Sequence, residues 1–225
     1  MTVFRIIAGF SLAALLLGMA YDFRRRLKTW KAAGDLLRRR IRIPREGRRG
    51  GKAGKLDNVR RIVTIVSGAL LLSLAVTGFL PVLFLGSHLS GMLLVIHVTL
   101  APFFGIALSA LALLWAHRLR FDEADWRILE GAGRRKFPGK DALARFALKV
   151  GFWSALLLSL PLMLTVILGL FPLYGTDGEA LLIRLHGYSA LLLMMTALGE
   201  LYLIIGLIIA YGEHSTEQLM KEQNQ

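Results

Sequence analysis

Two stretches of the chain contain no charged residue. Residues 62–117 lack Asp, Glu, Lys and Arg over 56 positions, and residues 150–176 lack them over 27 positions. Because the hydrocarbon core of a membrane is about 30 Å thick, roughly 20 apolar helical residues are needed to cross it. The longer stretch therefore predicts two membrane-spanning helices, and the shorter stretch predicts one.

Five crossings account for the complete pattern. Pro81 and the segment Gly86–His88 interrupt the longer stretch. They predict a tight turn, because Pro and Gly often end helices. The predicted crossings are residues 3–21, 62–85, 89–116, 150–173 and 181–211. The fold class that follows is an all-α integral membrane protein with five transmembrane helices.

The composition agrees with this fold class and excludes several other classes of protein and kinds of cofactor site. Hydrophobic residues make up 55% of the chain and the mean hydropathy is +0.57, which excludes a soluble globular protein. The chain contains no cysteine. A disulfide scaffold, a cysteine-ligated iron–sulfur cluster and a covalently attached c-type haem are therefore excluded.

The basic residues predict how the helices are oriented. Residues 22–61 hold 16 basic and 4 acidic residues, and residues 118–149 hold 9 and 5, so that the two loops contain 25 of the 28 basic residues. Loops rich in Lys and Arg remain in the cytoplasm. The N-terminus is therefore expected outside, and the C-terminal tail inside.

The basic N-terminal region also resembles two other kinds of segment, a signal peptide and a nucleic-acid-binding segment. A signal peptide cleaved near Ala20 would export the cluster Arg24–Arg26 and the basic residues after it, against the charge rule. The Gly-rich basic segment 38–55 lacks the interleaved aromatic residues that stack on bases, so no nucleic-acid partner is expected. Contact with anionic lipid headgroups is the simpler expectation.

The histidines are the candidate chemical groups, because a polar side chain inside a membrane needs a partner. His88, His117 and His214 fall at predicted helix ends, where water is available. His97 and His186 fall inside two crossings at a similar depth in the outer half of the membrane. Two imidazoles at one depth on two helices is the arrangement that a bis-histidine haem b requires. A histidine hydrogen-bonded between helices remains the competing interpretation.

A set of short motifs occurs in order along residues 58–212, about two-thirds of the chain. The motifs are Arg60-Arg61 before a helix, Val76-Thr77-Gly78-Phe79, His97, Asp125-Trp126, Arg135-Lys136-Phe137-Pro138-Gly139-Lys140 and Arg184-Leu185-His186-Gly187. In this order they resemble the membrane cytochrome b subunit of respiratory oxidoreductases, exemplified by the gamma subunit of formate dehydrogenase. The segment Tyr21–Gly34 is more similar to the start of nitrate-reductase-like or heterodisulfide-reductase-like cytochrome b chains.

The resemblance implies one haem b, held by His97 and His186 near the outer face, with Arg184 available to neutralise a haem propionate. Members of this family usually hold a second, inner haem. The positions that match its two histidine ligands are Thr64 and Glu200 in this chain. Neither supplies an imidazole, so the inner haem is expected to be absent.

Glu200 needs its own explanation, because an acidic side chain inside a membrane is costly. One interpretation is that it carries a proton for a quinone bound in the vacated inner position, together with Thr64 and Tyr202. The other is a structural hydrogen bond to one of these hydroxyls or to a backbone group.

The function implied by the resemblance is electron transfer between membrane quinone and a partner redox subunit, a multihaem cytochrome or an iron–sulfur protein. Such a subunit works in a hetero-oligomeric complex of a bacterial inner membrane and carries no substrate chemistry of its own. A haem-free membrane anchor and a transporter or proton-relay protein are the alternatives. The expected regions are a transmembrane helix (1–21), a basic cytoplasmic segment (22–57), a four-helix membrane domain (58–212) and a cytoplasmic tail (213–225).

Overall fold

The computed structural model describes the backbone of residues 2–40, 52–87, 89–133, 140–171 and 173–223, and the side chains of residues 2–25, 55–87, 89–130, 142–171 and 173–207. The described residues form helices and connecting turns without a strand. The helices are α1 (Thr2–Arg40), α2 (Lys52–Leu80), α3 (Gly91–Trp115), α4 (Glu123–Gly133), α5 (Lys140–Gly169) and α6 (Gly175–Gln223).

Five helices are long and apolar enough to cross a membrane. The membrane-spanning segments are Thr2–Arg25, Lys55–Leu85, Gly91–Trp115, Ala142–Gly169 and Gly175–Leu207. The predicted all-α membrane fold with five crossings is confirmed, and the protein is a multi-pass membrane protein. Large apolar side chains such as Phe10 and Leu113 cover the outer surfaces of these segments, where they contact lipid.

The helices extend past the charge clusters that were expected to end them. Helix α1 continues through its basic half to Arg40, and α6 continues to Gln223. Charged side chains end a membrane crossing but not a helix, because Lys, Arg and Glu are good helix formers. The boundaries expected at residues 21 and 212 therefore do not coincide with helix ends. The basic residues 41–51 and the motif residues 134–139 lie outside the described residues.

The turn between the second and third crossings forms at Gly86. Helix α2 passes Pro81 by widening into one π-helical turn (Pro81–Leu85), since Pro has no N–H for the regular ladder. Gly86 ends this turn with a φ of 63° and donates its N–H to the carbonyl of Pro81. A side chain at Gly86 would also strike Arg5, whose Nε donates to the carbonyl of Leu83 at 3.0 Å.

Four helices share one apolar core. Helices α2 and α3 form one antiparallel hairpin, and α5 and α6 form the other. Phe104 and Leu108 of α3 and Leu193 of α6 are buried at the centre, and side chains of α2 and α5 pack around them. Helix α1 packs on the outside of this bundle against α6, where the ring of Phe4 meets that of Tyr188 edge to face at 5.1 Å.

Helix α4 was not expected from the sequence. Lys149 of α5 holds its N-terminal end with ion pairs to Asp122 at 3.0 Å and to Asp125 at 2.6 Å. The indole of Trp153 donates to the carbonyl of Leu119 at 2.9 Å and fixes the chain just before α4. The segment from Leu119 to the first turn of α4 is therefore bound to the beginning of the membrane-spanning part of α5.

Candidate functional site

His97 of α3 and His186 of α6 face each other in the half of the bundle that contains the turn between α2 and α3. Their ring centroids are 6.4 Å apart, and the ring planes are inclined at 73°. Both side chains are half-buried. The equal depth expected from the sequence thus brings the two imidazoles together, one from each hairpin.

Each imidazole contacts a threonine on the other helix of its own hairpin. The hydroxyl oxygen of Thr77 on α2 lies 2.8 Å from Nδ1 of His97. The hydroxyl oxygen of Thr165 on α5 lies 3.2 Å from Nδ1 of His186, which is also 3.2 Å from the carbonyl oxygen of Leu162. The two threonines therefore orient the two rings in the same way.

The hydrogen-bond directions assign the tautomer of each ring. Thr77 donates its hydroxyl hydrogen to carbonyls of α2, at 2.8 Å and 3.1 Å, and Thr165 donates to the carbonyl of Leu162 at 2.9 Å. The carbonyl oxygens of Leu74, beside His97, and of Leu162, 3.2 Å from Nδ1 of His186, can only accept, so the ring nitrogen carries the hydrogen and the threonine oxygen accepts from it. In the described part of the chain, every hydrogen bond to His97 or His186 ends on Nδ1. The lone pair of Nε2 is left available on both rings.

Two glycines beside these groups permit close approach of neighbouring elements. A Cβ on Gly78, the residue after Thr77, would lie 3.2 Å from Cε1 of His97. A Cβ on Gly187, the residue after His186, would lie 3.2 Å from the ring of Phe4. The first glycine lets α2 reach the histidine, and the second lets α1 pack beside the histidine pair.

Glu200 lies in the other half of the same bundle, fourteen residues and therefore about 21 Å further along α6 than His186. Its carboxyl group packs against Gly151 of α5. Two buried side-chain oxygens lack a hydrogen-bond partner among the described residues, and they are Oε1 of Glu200 and Oγ of Ser67 on α2. Among the described residues, these two unpartnered oxygens thus lie on two different helices of the bundle.

Thr64 and Tyr202, which the sequence grouped with Glu200, have other partners. The Thr64 hydroxyl is exposed, donates to a carbonyl of α2 at 2.8 Å and accepts a bond from the indole of Trp115 at 3.2 Å. The Tyr202 hydroxyl donates to the carboxylate of Asp22 on α1. Neither hydroxyl bonds Oε1 of Glu200, because depth along a helix does not determine which neighbour a side chain faces.

The remaining sequence candidates lie at the ends of the bundle. Arg184 is exposed and donates to the carbonyl of Ala180 on its own helix at 3.2 Å. His117 is exposed just after the C-terminal end of α3, whereas His88 and the side chain of His214 lie outside the described residues. Within the described ranges, no group of three or more His, Asp or Glu side chains is arranged to hold a metal ion.

Sequence reasoning did not nominate Thr77, Thr165 or Ser67 as site residues. The signal for the two threonines is a repeat, since Thr77 precedes His97 by 20 residues and Thr165 precedes His186 by 21. Ser67 carries no such signal, because serine is common in helices that pack inside membranes. It is identified only by its burial without a partner.

Comparisons with known proteins do not assign the chain to a family. No family model matches it, and no curated protein or solved structure matches it significantly. The functional conclusion therefore depends on the geometry of the site and on the sequence motifs.

Proposed function

We propose that this protein is a haem b-binding membrane subunit of a respiratory complex, which passes electrons between a quinone and a partner redox subunit. The observation that carries the proposal is the pair His97 and His186. Two imidazoles that would share one haem iron must approach each other closely from two different helices. The measured separation of 6.4 Å fits this arrangement.

The hydrogen bonds of the two rings also support a ligand role. Metal-binding histidines commonly commit their second ring nitrogen to an oxygen, which fixes the ring and leaves the other nitrogen for the metal. His97 and His186 both commit Nδ1 to oxygens and leave Nε2 available. The donor set therefore fits a bis-imidazole haem, in agreement with the resemblance of the sequence motifs to cytochrome b subunits.

A haem held by two imidazoles supplies a one-electron carrier with no open coordination position. In this chain, His97 and His186 would hold the group between α3 and α6. Arg184, exposed on α6 two residues before His186, is the basic side chain available for a haem propionate at the outer face. No residue of the chain is assigned a catalytic step of its own, so the protein works with a partner.

The second part of the proposal is a quinone site near Glu200. Quinone carbonyls accept hydrogen bonds, and reduction of a quinone consumes protons as well as electrons. Oε1 of Glu200 and Oγ of Ser67 are buried polar atoms for which the described residues supply no partner. Ser67 is therefore added to the candidate quinone-site residues that the sequence suggested, which are Glu200, Thr64 and Tyr202.

The third part concerns orientation and partners. Residues 22–61 and 118–149 hold 25 of the 28 basic residues, which favours a cytoplasmic position for both segments in a bacterial inner membrane. The N-terminus is then outside, and the histidine pair lies nearer the outer face. A multihaem cytochrome or an iron–sulfur subunit would dock on that face to exchange electrons.

A redox difference spectrum of the purified chain tests the haem assignment. We expect a reduced-minus-oxidised b-type α-band and about one haem per chain, because one pair of imidazoles is present. His97→Ala and His186→Ala should each remove the bis-histidine spectrum. His117→Ala is the matched control, because His117 is exposed at the inner end of α3. A wild-type chain produced with ample haem that shows no α-band would overturn the proposal and favour a haem-free anchor.

A further inference from the structure

The two helical hairpins repeat one polar arrangement around the histidine pair. On α2, Thr77 donates to the carbonyl of Leu74 at 3.1 Å and lies 2.8 Å from His97, and the Leu74 carbonyl also faces this ring. The repeat on α5 uses the same residue types at the same spacing. There Thr165 donates to the carbonyl of Leu162 at 2.9 Å and lies 3.2 Å from His186.

The two threonines are buried, and the hydroxyl of each one already donates to a carbonyl oxygen of its own helix. A threonine could make this bond within its own helix equally well from a position that faces lipid. Here each oxygen also receives the Nδ1–H of an imidazole from the next helix. The same arrangement occurs on two helices that are not neighbours in sequence. This repetition indicates that the threonines are there to bind the histidines.

We propose that Thr77 and Thr165 are positioning residues, which lock His97 and His186 in the Nδ1–H tautomer and direct both Nε2 lone pairs toward one shared ligand. This proposal rests on the proposed haem site and adds two residues to it. A bonded Nδ1–H makes the opposite nitrogen a stronger electron donor, which favours oxidised iron over reduced iron. Loss of the hydroxyl therefore raises the midpoint potential of the bound haem.

The test replaces each threonine by valine, which keeps the branched shape and removes the hydroxyl. In haem-free protein labelled with ¹⁵N-histidine, we expect the fraction of the Nδ1–H tautomer in the affected ring to fall, because the carbonyl of Leu74 or Leu162 is left as its remaining acceptor. In haem-loaded protein, we expect a roughly tenfold weaker affinity for haem. A tenfold shift in the preference for oxidised iron would raise the potential by about 59 mV for this one-electron couple.

Two further variants separate positioning from general damage to the fold. Thr77→Ser and Thr165→Ser keep the hydroxyl and should restore the wild-type tautomer and potential. Thr99→Val removes a hydroxyl from an exposed position two residues after His97 and should change neither. A wild-type tautomer in both Thr77→Val and Thr165→Val would overturn the positioning role. Because the tautomer is read without haem, this result is independent of whether the haem assignment itself holds.

Discussion

Glu200 of α6 lies so close to Gly151 of α5 that a side chain at position 151 would collide with it. A Cβ on Gly151 would be 2.6 Å from Oε1 and 2.7 Å from Cγ of Glu200. The carboxyl group therefore occupies the space between the two helices of a hairpin, and it is not turned toward lipid. This contact requires glycine on α5 for as long as glutamate is kept on α6.

The first prediction is that Gly151→Ala destabilises the protein by about 1–3 kcal/mol, because the added methyl group overpacks the contact with Glu200. Thermal unfolding in detergent should show the loss. The double variant Gly151→Ala with Glu200→Ala should recover most of it, since the colliding atoms are removed. Gly68→Ala is the control, because a Cβ on Gly68 meets nothing within 4 Å. Equal unfolding temperatures for Gly151→Ala and the control would contradict the contact.

The sequence predicts the depth of a residue in the membrane far better than it predicts which side chains contact that residue. His97 and His186 were placed at one level because charge-free runs locate the membrane and each helical residue advances about 1.5 Å. Their rings lie 6.4 Å apart in the structure. Tyr202 was assigned to Glu200 on the same reasoning, but its hydroxyl bonds Asp22 on α1. The side on which α1 packs depends on contacts such as Phe4 with Gly187, which no periodicity reveals.

The second prediction is that Ser67→Ala stabilises the protein by about 1 kcal/mol when no ligand is present. A buried hydroxyl without a partner costs free energy that alanine does not incur. The same change should raise the quinone concentration needed for half-maximal oxidation of the haem, if a quinone supplies the missing partner. Ser159→Ala is the matched control, because Ser159 is buried and its hydroxyl has a partner at 2.6 Å. A loss of stability in Ser67→Ala as large as in the control would contradict the prediction.

The third prediction is that Glu200→Gln leaves haem content unchanged and slows quinone-linked reduction or oxidation of the haem. The amide keeps the shape of the side chain but cannot carry a proton, so the rate should also lose its dependence on pH. Stopped-flow absorbance at the α-band measures both effects. Glu130→Gln on α4 makes the same chemical change at an exposed position and serves as the control. Unaltered quinone kinetics across pH would make Glu200 structural and place the quinone elsewhere.

The fourth prediction concerns topology. The chain has no native cysteine, so a single introduced cysteine reports the side of the membrane on which it lies. Glu130→Cys on α4 should resist a membrane-impermeant thiol reagent in sealed cells, and Asp177→Cys at the start of α6 should react with it. Both positions are exposed, so access depends on sidedness alone. The opposite labelling pattern would invert the topology and place the histidine pair nearer the cytoplasm.

The last prediction is that the carboxylate of Asp122 contributes to stability at neutral pH and that this contribution disappears in acid. The hydrogen bond from Lys149 lowers the pKa of Asp122 below its usual value. A group with a lowered pKa in the folded state stabilises the protein fully above its ordinary pKa of about 4, and the effect is lost as the pH falls through the lowered value. The unfolding temperature of the wild-type protein in detergent should therefore drop between about pH 4 and the lowered pKa. Asp122→Asn removes the titrating group and should flatten this part of the curve, while leaving the stability at low pH close to that of the wild type. Glu123→Gln, at the adjacent exposed position, should keep the wild-type profile. If the unfolding temperature of Asp122→Asn fell at acid pH as it does in the wild type, Lys149 would hold α4 to α5 through Asp125 alone.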